Sequence, residues 1–126
     1  DRKRISVQQK GKPAITHYTV IERFRAFTYV DVRLETGRTH QIRVHFAHRR
    51  HALVGDPVYG GRLALPSGAS DELVDVLRRF KRQALHAARL SFEHPTRRKM
   101  VEFEVAPPAD FQHLIDVLRD DARSNP

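Results

Sequence analysis

The chain has 126 residues, one domain's worth and enough to bury a core of its own. It has no cysteine, which excludes disulfides and thiolate zinc sites and fits a cytoplasmic setting, and no apolar run reaches the length of a membrane helix. The net charge is +8 and one-sided: residues 1–62 hold thirteen Lys and Arg against five Asp and Glu, while residues 63–126 hold ten of each. A basic half of this kind suits a polyanion, nucleic acid being the usual one; a generic solubilising surface is the plainer alternative.

The chain opens on Asp1-Arg2-Lys3-Arg4 without an initiator methionine, as expected of a processed or truncated product. Ile5 and Val7 predict a short strand closed by the turn Gly11-Lys12-Pro13, and residues 14–22 predict a second. Val30, Val32 and Leu34 alternate with Asp31, Arg33 and Glu35, the period of a strand with one solvated face. Thr36-Gly37 breaks it, and a helix of about a dozen residues is expected from Thr39, which would be its N-cap.

On that helix, Ile42 and Phe46 fall on one side and Val44 and Ala47 nearly opposite. Apolar residues on two sides predict a helix sandwiched within the fold, with Arg43 projecting between them and partly enclosed. A partly buried arginine requires an anionic partner.

Residues 55–61 form a loop. Ser70 is expected to cap a helix with Asp71 and Glu72 in its first turn and Arg78, Arg79 and Lys81 in its last, both sets opposing the macrodipole. Leu73, Val76, Leu77 and Phe80 supply its apolar stripe. A strand follows near 88–92. Another is expected where Val101, Phe103 and Val105 alternate with Glu102 and Glu104, and Pro107-Pro108 stops it. Asp110 opens a last helix striped by Phe111, Leu114, Ile115 and Leu118. This order predicts an α+β fold with a largely antiparallel sheet.

Arg38, Thr39, His40 and Gln41 lie at the start of the first helix, where backbone N–H groups and the dipole favour an anion such as an RNA phosphate or a carboxylate. Ordinary capping explains Thr39; Arg38 is assigned to function, and His40 divides evenly between function and a satisfied core position. His45, His48 and His51 recur every three residues, but a metal would need convergent geometry and usually a carboxylate, so no metal is expected. They are read instead as helping Arg49 and Arg50 contact phosphate. The 55–61 loop carries neither a Walker lysine-serine pair nor a dinucleotide fingerprint, which excludes nucleotide-cofactor readings. Asp56 in that loop is either an exposed nucleophile or a residue that orders the loop or braces an arginine. Tyr59 either stacks on a base or packs in its loop.

The run Leu34-Glu35-Thr36-Gly37-Arg38-Thr39-His40-Gln41-Ile42-Arg43-Val44-His45, followed by Leu53-Val54-Gly55-Asp56-Pro57-Val58-Tyr59-Gly60-Gly61, resembles the second half of the signature of pseudouridine synthases of the ribosomal RNA branch. Gly11-Lys12-Pro13-Ala14-Ile15-Thr16-His17-Tyr18 and Arg82-Gln83-Ala84-Leu85-His86-Ala87 resemble further segments in family order. The resemblance implies a mixed sheet flanked by helices, of which only part is present so that an edge is exposed, and a reaction without cofactor or metal. Uracil is detached from C1′ of the ribose, turned and rejoined through C5, after the uridine has left its stack. It implies that Arg43 pairs with a nucleophilic aspartate and that Ile42 walls the base pocket. The helix start and the basic stretch beyond it make Arg38, His40, Gln41, Arg49 and Arg50, with Tyr59 of the loop, the residues expected to meet RNA. The segment matching Asp56 is not the nucleophile's in the family, so Asp56 is expected to order its loop or brace an arginine. Ala84, Leu85 and Ala87 are read as packing, with His86 left open.

The family's His-Arg-Leu-Asp segment, which carries the nucleophile, has no counterpart here. Residues 1–126 are therefore expected to be the C-terminal portion of a catalytic domain. The nucleophile-bearing half and a small basic N-terminal RNA-binding domain would be missing partners, and the chain alone would be inactive. The whole enzyme would be a cytoplasmic monomer acting on uridines in a large-subunit ribosomal RNA stem-loop. The rival reading is a non-catalytic basic RNA-binding module. A structural or protein-interaction domain ranks third and rests only on the exposed edge.

Overall fold

The structure, a computed structural model, describes residues 2–9, 12–35, 40–87, 89–93, 100–104 and 106–124. Strands β1 (Lys3–Gln9), β2 (Lys12–Arg23) and β3 (Thr28–Leu34) form an antiparallel sheet in the order β1-β2-β3. Ile5 lies opposite Thr16 and Val7 opposite Ala14, which puts these four on one face; Ile5, Ala14 and Thr16 are fully buried there. Arg4 and Ser6 point the other way and are exposed, as a period of two requires. The register between β2 and β3 shifts between Val20 and Glu22, and the intervening Ile21 is exposed.

Helix α1 (Gln41–His48) packs over the inner face of β1 and β2, with Phe46 edge-on to Tyr18 at a ring separation of 5.3 Å. It has eight residues instead of about a dozen. His40, in the left-handed region at φ 53°, precedes its first turn without a side-chain cap, while Arg38 and the expected cap Thr39 lie outside the described residues. The other end is closed by the paired bonds of a Schellman motif: Arg50 N–H donates to the Ala47 carbonyl (2.9 Å) and His51 N–H to that of Phe46 (2.8 Å). Arg50 takes the left-handed position, φ 62°, that glycine usually fills. Together these two bonds end the helix where hydrophobic periodicity gave no stop signal.

Helices α2 (Asp71–Arg79) and α3 (Ala109–Ser124) form the second layer. Ser70 caps α2 as expected, its side chain accepting from Leu73 N–H at 3.1 Å. Leu73, Val76, Leu77 and Phe80 bury against Leu114, Val117 and Leu118, with Phe24 and Phe27 of the β2–β3 turn packed alongside. Two ion pairs fasten that turn region to α3. Arg119 grips Glu22 through Nε and Nη2, and Arg25 Nε donates to the buried Asp121 at 3.0 Å, whose other oxygen accepts from Ser70 N–H.

Strands β4 (Arg89–Glu93) and β5 (Met100–Glu104) make a separate antiparallel pair near the two expected positions, with Ala88 and Val105 outside the described residues. The class is α+β, and every described pairing is antiparallel. No helix among the described residues is long and apolar enough to cross a membrane.

Leu73 has no exposed surface and sits where α2 meets α3. Leu73→Ala is expected to lower stability by about 2–5 kcal/mol, read as a shifted denaturant midpoint at unchanged slope.

Candidate functional site

Helix α1 is fixed to the sheet by a polar stripe. Gln41 Nε2 donates to the Ile15 carbonyl (2.9 Å) and to Thr16 Oγ1 (3.0 Å), and Thr16 Oγ1 lies 2.7 Å from His45 Nδ1. The Ile15 carbonyl identifies the Gln41 nitrogen as donor. Thr16 Oγ1 therefore accepts from Gln41 while sharing a hydrogen bond with His45 Nδ1. His45 is 2% exposed. Burial holds its imidazole below the ordinary histidine value, and neighbouring His48 adds to the effect.

Gln41 and His45 are four residues apart and share one side of α1; Arg43 leaves from roughly the opposite side. The helix is thus sandwiched as expected, although the sheet-facing stripe includes two polar residues. Of the expected apolar residues, Phe46 is buried, while Ile42, Val44 and Ala47 are half-buried.

Arg43 meets Asp56 in a two-point pair, Nε to Oδ2 and Nη2 to Oδ1, both 2.8 Å. The Asp56 side chain is fully buried and that of Arg43 is 11% exposed. Asp56 Oδ1 also accepts from the N–H groups of Val58 (2.9 Å) and Tyr59 (3.1 Å). The Arg43 guanidinium, helped by these two N–H groups, holds the Asp56 carboxyl well below the usual carboxylate range despite its burial. Reciprocally, Asp56 raises Arg43 above its ordinary value. Nη1 of Arg43 has no partner among the described residues and remains in reach of solvent.

The loop that presents Asp56 is shaped by two glycines. Gly55 has φ +75°, and a Cβ there would lie 2.2 Å from the Arg82 carbonyl oxygen and 2.7 Å from that of Phe80. At Gly60 a Cβ would lie 2.4 Å from the Asp56 carbonyl oxygen, which accepts the Gly60 N–H at 3.2 Å. Ala84 N–H donates to the Val54 carbonyl (2.8 Å), and with the Phe80 and Arg82 carbonyls facing Gly55, residues 80–84 brace this loop from behind. Tyr59 places its ring under Arg43, Cζ lying 5.2 Å from the centroid, and its hydroxyl is 3.3 Å from His40 Nδ1.

The helix and loop therefore bring Ile42, Arg43, Asp56, Tyr59 and His40 together. His40 is exposed, not a core histidine, and Arg49 and Arg50 are exposed beyond the other end of α1. Gln41, expected at the RNA surface, is 4% exposed and its amide is directed inward, which gives it a structural task. Tyr59 is half-buried, and Arg38 lies outside the described residues. His86 is half-buried with its ring 6.3 Å from that of Phe111. No group of three His, Asp or Glu among the described residues is placed to hold a metal ion. Thr16 was not singled out from sequence. Its one signal is a hydroxyl on the strand face that otherwise carries Ala14 and Tyr18.

Residues 2–48 match the family described as RNA pseudouridylate synthase. The chain is 53% identical over 122 residues to the ribosomal large subunit pseudouridine synthase D of Xanthomonas campestris, covering 97% of this chain and 37% of that protein. It is 55% identical to the protein of the same name from Xylella fastidiosa, again over 97% of this chain and 37% of that protein. The Salmonella typhimurium protein of that name is 53% identical over 95% of this chain and 37% of its own length. The chain thus spans little more than a third of the length of these relatives.

The two depressed ionisations act in separate pH windows. Unfolded His45 titrates near pH ~6.5, so below that the unfolded chain takes up a proton the folded one refuses, and stability falls until folded His45 also titrates. Asp56 contributes stability that is present above about pH 4 and is lost as pH falls through its lower folded value. Denaturant unfolding across pH is expected to show a flatter slope for His45→Gln between about pH 7 and 5, and for Asp56→Asn only below about pH 4.

Proposed function

Because the chain belongs to the RNA pseudouridylate synthase family, we propose that it supplies the arginine side of the active site of a ribosomal RNA pseudouridine synthase. The observation that carries this reading is the state of Arg43, held along its Nε–Nη2 edge while Nη1 stays open. A second carboxylate arriving at the open end would be oriented by a guanidinium that cannot swing away. It would also be kept ionised, as a nucleophile needs. Ile42, next to Arg43 and half-buried, is suited to wall the pocket for a flipped uracil.

Asp56 does not fit the nucleophile's role: its side chain is fully buried and its oxygens already accept four N–H bonds. No His-Arg-Leu-Asp run occurs in the chain. We therefore assign the nucleophile to a half of the enzyme that these residues do not include, and infer that the chain alone does not turn over. The substrate by this reading is a uridine in a stem-loop of large-subunit ribosomal RNA, in keeping with the relatives' names, and the enzyme is a cytoplasmic monomer without cofactor or metal. His40, Arg49 and Arg50, all exposed, and Arg38 would meet the RNA backbone. His40 and Arg50 are the non-glycine residues described with positive φ, and they bracket α1. An exposed side chain kept in an uncommon backbone conformation is consistent with a task at each end.

A non-catalytic RNA-binding module accounts for the charge asymmetry, but it gives no reason to leave one end of an enclosed arginine open. In the complete enzyme, Arg43→Ala is expected to lower kcat by ~100-fold or more with RNA affinity kept. An affinity loss with a shallower salt dependence and unchanged kcat would instead mark Arg43 as a phosphate contact. Uridine-to-pseudouridine conversion in a ribosomal stem-loop is expected from this chain mixed with a separately supplied N-terminal half, and not from the chain alone. Conversion by the chain alone would overturn the assignment of the nucleophile.

A further inference from the structure

A two-point ion pair fixes one edge of a guanidinium but leaves a hinge. With Nε and Nη2 of Arg43 bound to Asp56, the planar group can still tilt about the line of those two bonds, carrying Nη1 with it. Nη1 is the atom that the functional reading needs to hold still. Cζ of that group lies over the Tyr59 ring, 5.2 Å from its centroid.

We propose that Tyr59 is a positioning residue for Arg43: its ring blocks the tilt and so sets where the open Nη1 end points. This inference rests on the reading of Arg43 as the partner of the catalytic carboxylate. Three features make the ring suited to the task. It is itself held, its backbone N–H bonded to Asp56 Oδ1 at 3.1 Å and its hydroxyl 3.3 Å from His40 Nδ1. The Tyr59 and His40 rings meet edge to face with centroids 6.0 Å apart, a second restraint on the same side chain. Finally, a π face attracts the cation but is a far weaker proton acceptor than an oxygen, so it competes little with a carboxylate for the Nη1 protons; a polar side chain there would compete for them.

The same loop thus handles the arginine twice, through the Asp56 carboxylate and through the Tyr59 ring, with Gly60 allowing the close return of chain to the Asp56 carbonyl. Stacking on an RNA base is a different role for Tyr59, and kinetics separate the two. Positioning acts on the chemical step, whereas stacking acts on substrate affinity.

The test uses the complete enzyme and a ribosomal RNA stem-loop, comparing Tyr59→Phe, Tyr59→Leu, Arg43→Ala and the Arg43→Ala/Tyr59→Leu double variant. Tyr59→Phe keeps the ring and is expected to retain kcat within about threefold. Tyr59→Leu is expected to lose about tenfold in kcat at unchanged KM and to move the acidic limb of the kcat profile to higher pH. Because Tyr59 acts through Arg43, the double variant is expected to be no slower than Arg43→Ala alone. A rise in KM at unchanged kcat, an unchanged Tyr59→Leu enzyme, or an additive loss in the double variant would each overturn the proposal. If thermal unfolding shows that Tyr59→Leu does not fold, Tyr59→Met is read by the same criteria. Full kcat in Arg43→Ala would overturn the functional reading of Arg43 itself, an outcome distinct from a slow Arg43→Ala with an unaffected Tyr59→Leu.

Discussion

A guanidinium enclosed by protein cannot be left without a counter-charge, and in this chain that constraint ties an eight-residue helix to a glycine loop thirteen residues further on. The Arg43–Asp56 pair decides the course of the chain between α1 and α2. Asp56 is placed so that its two oxygens meet two guanidinium nitrogens and two backbone N–H groups, which is nearly all that a carboxylate can accept. The left-handed Gly55, pressed against the carbonyls of Phe80 and Arg82, brings the loop to that point. Residues 80–84 then serve as its backing, so the loop that holds this charge pair also rests on backbone beyond α2.

Helix α1 is short, and its precision comes from what lies on its two sides. Hydrogen bonds that Gln41 and His45 make with β2 set its rotation and its height over the sheet, because each has defined partners and length. Apolar packing alone would let an eight-residue helix slide or roll. The polar stripe costs desolvation of a histidine and an amide, offset by complete bonding within the Thr16 cluster. Arg43 on the far side inherits that fixed rotation.

Elements with strong periodicity were legible in the sequence. The strand at Val30–Val32, the Ser70 cap and the stripes of α2 and α3 each follow from local pattern and stand where that pattern put them, although Leu34, on the covered side of the alternation, is exposed. Arg43's enclosure was legible too, since residues on either side of it are apolar, and so was Asp56 as a brace for an arginine. The two ends of α1 were not. They depend on His40 and Arg50 adopting positive φ, which neither residue type advertises. Gln41 was read as facing RNA because it adjoins Arg38 and His40. Its inward direction depends on the Ile15 carbonyl, a backbone acceptor on another element that no side-chain pattern reveals. Thr16 escaped notice for the same reason.

Asp121 accepts both from Arg25 in the β2–β3 turn, 96 positions earlier, and from the amide that opens α2, 51 positions earlier. The first of these spans most of the chain, and α2 buries its stripe mainly against α3. Order of synthesis therefore matters. The sheet can pair as soon as its three strands emerge, but α2 must wait with its leucines and valines uncovered until α3, about thirty residues later, is made. Through that interval the nascent chain carries an open apolar surface that α3 closes.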